Sequence, residues 1–316
     1  MNKNPLVSII IPTYNRAHLI GETLDSVLAQ TYQNWECMVG DDGSTDDTDE
    51  LMKTYCEKDS RFIYAHRKKN MPKGANACRN LGLEKTKGEY IIFFDSDDLM
   101  TKEHIAAKLN AIQMHNADYV VSKTKNLDGS SYPKHYYAFK NKGLTANDYI
   151  THQTNWLTLD VIIKKEVLQE IRFNESLQSG QEYNFYCKLV LKSVNCYFLD
   201  EYLSLRRMTP GSTRKSLDSD FKLRASEFFK EMETFQDLDH RLDREVKIYF
   251  LLKCIRKIYQ YPKLLDGYHK FLRGQIFKVI GVKYLLFDGL LIAMKLGYGH
   301  YLLRNRLLKA IEKAKN

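Results

Sequence analysis

The sequence predicts a Rossmann-like α/β fold, with a mainly parallel sheet flanked by helices, followed by a helical C-terminal extension. In the first 125 residues, short apolar runs alternate with stretches that have helical spacing. Strands separated by helices of about 10–15 residues imply βαβ units and a parallel sheet. From residue 216 onward the spacing is helical, and no strand interrupts it convincingly.

The elements of the first half follow from these two periodicities. The first apolar run, 7–11, ends at Pro12, as a buried strand would. In the segment after it, apolar side chains recur with helical spacing at Leu19, Ile20, Leu24, Val27 and Leu28. The predicted strands are 7–11, 35–39, 62–65, 89–94 and 118–122, and the predicted helices are 17–30, 45–56, 76–84 and 102–115.

The second half has a weaker pattern. Residues 126–155 are polar and rich in tyrosine, which predicts loop and short helix. Strands are predicted at 157–163 and 196–199, and helices at 166–171 and 182–192. The resulting domains are 1–215, with halves 1–125 and 126–215, and a basic helical region, 216–316.

Composition excludes several classes of protein. With 44% hydrophobic and 28% charged residues, the 316-residue chain is neither disordered nor fibrous. Its six cysteines are scattered without a C-x-x-C pair, which predicts reduced thiols. No run reaches 18 apolar residues, and the apolar run near the start is too short for a signal peptide. We therefore expect a cytoplasmic protein.

The positive charge lies in the tail. From residue 251 on, 14 lysines and arginines face three acids, a net charge of +11 in a chain of net charge +9. One interpretation is that the helices between 271 and 311 contact the anionic inner face of the cytoplasmic membrane. The other is a helical subdomain that packs on itself and leaves its lysines solvated. A nucleic-acid partner is not predicted, because no known binding motif is present.

Polar turns follow three of the predicted strands. Ligands of an open parallel sheet bind beyond the carboxyl ends of its strands, so these turns are candidate site residues. An isolated acidic turn is usually a helix cap, but three at one edge are an unlikely coincidence. The turns contain Pro12, Thr13, Tyr14 and Asn15, then Asp41 and Asp42, and then Asp95, Ser96, Asp97 and Asp98.

The third turn has the chemistry of a cation site. Clustered carboxylates after a buried strand repel one another unless a cation neutralises them. Hard oxygen ligands suit Mg²⁺ or Mn²⁺, which bind one or two carboxylates together with phosphate oxygens. The alternative is that Ser96 or Asp98 caps the next helix.

Two further features have both functional and structural interpretations. Asp41 and Asp42 are candidates for a nucleobase or ribose contact, or else for a turn with Gly43 at positive φ. Arg79, early in a helix, is placed to approach a base or phosphate. A solvated helical arginine is the structural alternative.

Together these motifs, with Gly74-x-x-x-x-Arg79-Asn80-x-Gly82, resemble the family 2 glycosyltransferases of the GT-A fold over about residues 5–210. The resemblance implies inverting transfer of a sugar from a nucleoside diphosphate, usually UDP, with a divalent metal. It also implies site roles. Pro12, Thr13, Tyr14 and Asn15 would form the nucleoside pocket, Asp42 beside Asp41 would hold the uracil edge, and Arg79 would lie near base or diphosphate. Asp95 and Asp97, flanking Ser96, would form the D-x-D pair, with Asp97 or Asp98 as metal ligand.

An inverting displacement needs a carboxylate to take the acceptor proton. The family often has two acids in a G-E-D-like segment, where this chain has Gly180-Gln181-Glu182. We predict Glu182 as the base; its structural alternative is a favourable acid in the first turn of a helix.

Two more features remain open. Many relatives have an Arg-x-His-x-x-Ser segment where this chain has Arg207, Thr209 and Ser212, so a histidine ligand is missing. Arg206 or Arg207 is predicted to neutralise leaving-group charge, or else to lie in a basic surface loop. Trp156 is predicted either to stack on a sugar or to lie in the core.

The leading hypothesis is a metal-dependent inverting glycosyltransferase of surface-polysaccharide synthesis. It would use Mg²⁺ or Mn²⁺ and a UDP-sugar donor, and a glycan or lipid-linked glycan acceptor. The alternative is a catalytically impaired nucleotide-sugar-binding scaffold, which the missing histidine and altered acidic segment suggest. A third hypothesis is nucleotidyl transfer on a related sheet. A glycine- and lysine-rich loop directly after the first strand would favour it, and this chain has no such loop there.

Overall fold

The computed structural model describes residues 4–139, 143–177, 179–208 and 220–315. The chain divides into two compact units, Met1–Pro210 and Gly211–Asn316. This division and the predicted boundary at residue 215 both fall within 209–219, which lies outside the described residues.

An eight-stranded sheet forms the centre of the first unit. Its strands are β1 (Val7–Thr13), β2 (Trp35–Asp41), β3 (Phe62–His66), β4 (Tyr90–Phe93), β5 (Leu99–Met100), β6 (Tyr119–Asn126), β7 (Val161–Lys164) and β8 (Cys196–Arg206). The strand order is β3-β2-β1-β4-β7-β6-β8-β5. The first four strands pair in parallel, as predicted, whereas β7 is antiparallel to both β4 and β6. The sheet is therefore mixed.

Helices flank this sheet. They are α1 (Ala17–Leu28), α2 (Thr48–Lys58), α3 (Ala75–Lys85), α4 (His104–Met114), α5 (Ala146–Ile150) and α6 (Gln181–Lys192). Every residue of β1 and β2 is buried, because helices cover both faces of the parallel half.

Three predicted elements of the second half differ from the structure. The strand predicted at 157–163 begins with a 3-10 turn, Thr158–Asp160, because the Asp160 carboxylate accepts the Leu157 N–H and bends the chain. The predicted helix 166–171 is a 3-10 turn, Lys165–Leu168. Strand β8 continues to Arg206, beyond the predicted end at 199. The prediction stops early because the exposed residues 200–202, two of them acidic, interrupt the apolar pattern.

The second unit is helical. Its helices are α7 (Asp220–Leu238), α8 (Arg244–Gln260), α9 (His269–Ile280), α10 (Leu285–Leu296) and α11 (His300–Glu312). Phe235 and Phe250 stack at 5.1 Å between ring centroids, and Leu272, Phe287 and Leu307 are fully buried. The tail therefore has a core of its own, as its second interpretation requires.

Two further observations bear on the composition argument. All six cysteines are free thiols, as predicted. Among the helices of the described ranges, none combines the length and the apolar character needed to cross a bilayer.

Candidate active site

The loops after β1 and β2 lie side by side, because Thr13 and Asp41 are partners in the parallel register. Asn15 joins the two loops: its backbone N–H donates to Ser44 Oγ at 2.8 Å, and its Oδ1 accepts the Thr45 N–H at 2.8 Å. Its φ of 50° lies in the left-handed region, which asparagine tolerates better than most residues. Asn15 thus holds the two loops together through its backbone N–H and its side-chain oxygen.

Asp41 closes the turn after β2. Its carboxylate is fully buried and accepts the N–H groups of Gly43 and Ser44 at 2.6 and 2.7 Å, and the Ser44 hydroxyl at 2.6 Å. Gly43 has a φ of 95°, as the turn interpretation predicts. The oxygens of Asp41 are used within its own turn, which leaves Asp42 as the candidate for a base contact.

Asp42 has a partner that the sequence argument does not identify. Arg67 Nε donates to Asp42 Oδ1 at 2.5 Å, and the same guanidinium donates to the Met71 carbonyl at 2.6 Å. The sequence has one signal for this residue, because Arg67 lies two positions after the predicted strand 62–65 and hence near the same edge of the sheet. In the structure, the last residue of that strand, His66, is the register partner of Asp41. Arg67 fixes the orientation of Asp42 at the rim of the site.

The residues that end β1 differ in exposure. Pro12 and Thr13 are buried, whereas the Tyr14 ring is 54% exposed. Within the described part of the chain, Thr13 Oγ1 is buried without a hydrogen-bond partner. A buried hydroxyl without a partner is costly, and a bound polar ligand would satisfy it.

Arg79 connects two of the predicted site residues. Its Nη2 donates to Asp95 Oδ1 at 2.8 Å and lies 4.0 Å from Glu182 Oε1. The guanidinium is buried and lies 5.2 Å from the Phe173 ring centroid. Among the described residues, its Nε and Nη1 have no hydrogen-bond partner. Arg79 is therefore not a solvated helical arginine, since it lies between two carboxylates and has donors to spare.

Glu182 lies in the first turn of α6, which follows Gly180 in the left-handed conformation. Its side chain is 47% exposed, so the carboxylate is accessible from solvent. The structure thus brings together Asp95, from the loop after β4, and Glu182, from a distant helix. In the sequence these two acids belong to separate motifs.

Asp98 is the buried acid of the third turn. Its Oδ1 accepts the Arg207 N–H at 2.8 Å, and its carbonyl accepts the Thr23 hydroxyl at 2.9 Å. Burial, and then the charge of Asp95, raise the pKa of Asp98 to about 8. Asp98 therefore holds the loop after β8 against the acidic turn. Ser96 is buried beside it.

Asp97 is the more open neighbour, with a side chain 21% exposed and Oδ2 3.9 Å from Arg16 Nη2. Burial and the nearby Asp95 raise the pKa of Asp97. Burial contributes most to this rise in the pKa, and the charges of Arg16 and Arg206 offset it only in part.

The donor set fits a divalent cation that arrives with a diphosphate. In the described ranges, no group of three or more His, Cys, Asp or Glu side chains is arranged to hold a metal ion alone. Mg²⁺ typically takes one or two protein carboxylates and fills its other positions with phosphate oxygens and water. Asp97, with Asp95 beside it, offers such a partial set, whereas Asp98 already accepts a backbone N–H.

The two arginines at the end of β8 have different environments. Arg207 Nη2 donates to Glu22 Oε2 at 2.6 Å, and its Nε donates to the Asp97 carbonyl at 3.2 Å. Burial lowers the pKa of Arg206, but Tyr132, Asp98 and Asp95 outweigh it, and the net direction is upward. Arg206 thus lies near Asp98 and Asp95, whereas the Arg207 guanidinium is shared between the Asp97 carbonyl and the Glu22 carboxylate. Thr209 and Ser212 lie outside the described residues.

Trp156 lies in the core. It is 3% exposed, and its ring centroid is 4.2 Å from that of Tyr149 and 5.9 Å from that of Phe139. The packing interpretation of Trp156 is the one that the structure shows, because a ring buried among aromatic side chains has no face left for a sugar.

Comparison with known proteins decides the family. Residues 8–171, just over half of the chain, match the family model for glycosyl transferase family 2. The chain belongs to this glycosyltransferase family. An uncharacterised glycosyltransferase of Rickettsia felis is 34% identical over 208 residues, which are 65% of this chain. The chain spans only 33% of that relative's length. TuaG of Bacillus subtilis, a glycosyltransferase named for teichuronic acid biosynthesis, is 28% identical over 211 residues, 67% of this chain and 82% of TuaG.

Solved structures share the GT-A fold of this family 2 chain. The Staphylococcus aureus protein TarS (1–349), solved with UDP-GlcNAc, superposes with a TM-score of 0.60 at 22% identity and covers 85% of this chain and 87% of its own. The mannosyltransferase PcManGT of Pyrobaculum calidifontis, solved with GDP-Man and Mn²⁺, has a TM-score of 0.59 at 16% identity and covers 99% and 87%. The predicted fold class is therefore confirmed.

Proposed function

We propose that this family 2 chain transfers a sugar, with inversion, from a nucleoside diphosphate sugar to a glycan or lipid-linked glycan of a surface polysaccharide. UDP is the first candidate nucleotide. One observation carries the proposal: the buried Arg79 guanidinium lies between Asp95 of the D-x-D segment and Glu182, the candidate base. The Arg79 guanidinium thus lies close both to a carboxylate expected on the donor side and to an exposed carboxylate that can accept a proton.

Relatives support the substrate class. TuaG is named for the synthesis of teichuronic acid, and TarS was solved with UDP-GlcNAc. PcManGT was solved with GDP-Man and Mn²⁺, so GDP is the competing nucleotide and Mn²⁺ a candidate metal.

Different residues are candidates for binding the base, the ribose, the metal and the diphosphate of the donor. Asp42, oriented by Arg67, accepts an N–H from the nucleobase, and Thr13 offers its unpartnered hydroxyl. Asp95, held by Arg79, is the candidate for the ribose, and Asp97 is the candidate ligand for Mg²⁺ or Mn²⁺. A bound divalent ion supplies positive charge to the leaving diphosphate. Arg206 adds charge from the other side of the acidic turn.

Glu182 performs the proton transfer. The acceptor hydroxyl oxygen attacks the anomeric carbon while the bond from that carbon to the diphosphate oxygen breaks. The hydroxyl proton moves to the Glu182 carboxylate, and the nucleoside diphosphate leaves with the bonding electron pair. Arg79 orients Glu182 from 4.0 Å, so its place is that of a positioning residue.

Calorimetric titration with UDP, GDP and CMP, each with and without Mn²⁺, tests the donor site. We expect UDP to bind most tightly, and only with metal. Asp97→Ala should weaken metal-dependent binding by at least about tenfold, because it removes the open carboxylate ligand. Asp49→Ala is the matched control, since Asp49 is an exposed acid of the same unit. Failure of every nucleotide to bind would overturn the proposal.

A further inference from the structure

Helix α10 is apolar on two opposite sides. Phe287, Leu290 and Ala293 are buried, whereas Leu285, Ile292 and Leu296 are exposed. At 3.6 residues per turn, the exposed three share one stripe, and the buried three lie on the other side. A helix that is apolar on opposite sides is normally covered on both, so among the described residues the outer stripe of α10 lacks a cover.

The neighbouring segments extend this stripe. Tyr298, in the turn between α10 and α11, is 86% exposed, and Tyr301 and Leu302 are exposed in the first turn of α11. We call the following residues the hairpin face: Val282, Leu285, Ile292, Leu296, Tyr298, Tyr301 and Leu302.

The concentration of these side chains is unusual for this protein. In the described part of the first unit, the exposed large apolar side chains are spread over about 200 residues: Tyr14, Met114, Leu127, Val194, Tyr202 and Met208. The hairpin face has seven within 282–302. Scattered exposed side chains are ordinary, whereas a concentration of them marks an interaction surface.

Exposed cations accompany the hairpin face. Lys283 lies in the turn before α10, Lys295 lies in the last turn of α10, and Arg306 and Lys309 are exposed in α11. Within the described residues, none of the four has an acidic partner within ion-pair distance. The two acids of these helices are engaged elsewhere: Asp288 pairs with Arg273 at 3.0 Å, and Glu312 pairs with Arg256 at 3.3 Å.

We propose that the hairpin face binds the surface of an anionic lipid bilayer. Leucine, isoleucine and tyrosine side chains bordered by lysine and arginine are the composition of a helix that lies in the interface of a membrane. The exposed stripe of α10 is about 16 Å long at 1.5 Å per residue, so the helix would lie along the surface. Anionic headgroups would neutralise the four cations at its ends and edge.

Charge favours lipid over a second copy of the chain. A two-fold contact would place the same patch against itself and bring these cations close to one another. Like charges brought together across an interface oppose association. An anionic leaflet has the complementary charge and needs no shape match.

Co-sedimentation of the full chain with vesicles tests this proposal. We expect binding to vesicles that contain phosphatidylglycerol and much weaker binding to vesicles of phosphatidylcholine alone. Leu296→Ser with Leu302→Ser should weaken binding by at least about tenfold, because two side chains no longer bury apolar surface. Lys295→Glu with Arg306→Glu should weaken binding to the anionic vesicles on the order of tenfold.

Met114→Ser with Val194→Ser is the matched control, because it removes two exposed apolar side chains from the first unit. This pair should bind vesicles like the parent chain. Circular dichroism and the Tm of each variant confirm that the fold is intact. Nucleotide binding in the same preparations is measured separately, so failure of the proposed enzymatic function does not affect this result.

Three outcomes would overturn the proposal. The parent chain could fail to bind either vesicle, or the control pair could lose binding as much as the hairpin-face pairs. In the third, sedimentation velocity would show a dimer of the parent chain that Leu296→Ser with Leu302→Ser dissociates, which would assign the face to a second copy.

Discussion

Arg79 connects the two halves of the candidate site. A guanidinium buried this deeply is stable only with anionic partners, and Asp95 and Glu182 supply them. The sequence points to Glu182 through an incomplete family motif, and its 4.0 Å distance from Arg79 gives it a position beside the D-x-D segment. Its role as base stays a prediction.

We expect Glu182→Gln to lower kcat on the order of 10²–10⁴-fold, because the amide cannot accept the acceptor proton. The affinity for UDP with Mn²⁺ should stay within about threefold, since the variant keeps its size and lies on the acceptor side. Steady-state kinetics together with calorimetry measure both quantities.

Glu170→Gln is the control for this change, because Glu170 is an exposed glutamate paired only loosely with Lys192 at 3.8 Å. Full turnover by Glu182→Gln would move the base to another residue. A parent chain that binds the nucleotide but transfers no sugar would favour the scaffold hypothesis.

Neighbouring carboxylates in the two acidic turns have opposite environments. The Asp41 carboxylate accepts hydrogen bonds from its own turn, and the Asp42 carboxylate pairs with Arg67 at the rim of the site. Asp98 accepts a backbone N–H in the interior, and Asp97 stays more open. In each turn, hydrogen bonds with the backbone hold one carboxylate in the interior, whereas the side chain of the other is more exposed.

Among the helices, α3 depends on Gly82 for its distance from the sheet. A Cβ at this position would lie 2.3 Å from Ile10 Cγ2, far inside van der Waals contact. The glycine of the Arg79-Asn80-x-Gly82 motif is thus a packing requirement. It allows α3 to lie close enough to β1 for Arg79 to reach the acidic turn.

Gly82→Ala should therefore destabilise the chain by about 1–3 kcal/mol through overpacking. Gly274→Ala is the matched control: Gly274 lies in α9, and a Cβ added there would have no heavy atom within 4 Å. The control should raise stability by about 0.5–1 kcal/mol, because alanine is the better helix former. Urea unfolding of both variants measures these opposite signs, and two equal shifts would contradict the packing argument.

Strand β8 contains a predicted site residue, Arg206, beyond the point at which its sequence pattern predicts the strand to end. Its parallel pairing with β6 continues to the pair Asn126 and Arg206, and its pairing of Leu205 with Leu99 of β5 places the end of β8 beside the acidic turn. The exposed charged residues before this stretch predict an end at 199. Pairing with a neighbouring strand overrides the local pattern.

Over the full length of the chain, charge is distributed unevenly. Residues from 251 on have a net charge of +11, whereas the rest of the chain is close to neutral. The second unit can therefore be drawn to an anionic surface, while the first unit keeps its acidic turn.

This distribution predicts the salt dependence of vesicle binding. Raising the ionic strength from about 0.1 M to about 1 M shortens the Debye length from roughly 10 Å to 3 Å and should release most of the bound chain. The Lys295→Glu with Arg306→Glu variant should respond less steeply, because it has less attraction to lose. Binding that does not change with salt would contradict a contribution from these cations.

Periodicity and spacing along the chain were enough to predict the α/β class, the order of the first elements and the family motifs, because each of these is a local property. The acidic turns likewise follow from residue type and position, whereas Glu182 follows from the resemblance of its segment to the acidic motif of the family. Spacing along the chain cannot encode which distant residues meet. Only the folded chain shows that Asp95 and Glu182 both lie beside Arg79. It also shows that Asp41, Asp98 and Trp156 are buried. The same holds for the apolar side chains that the tail leaves exposed, since a helix that is apolar all round does not reveal which side its neighbours will cover.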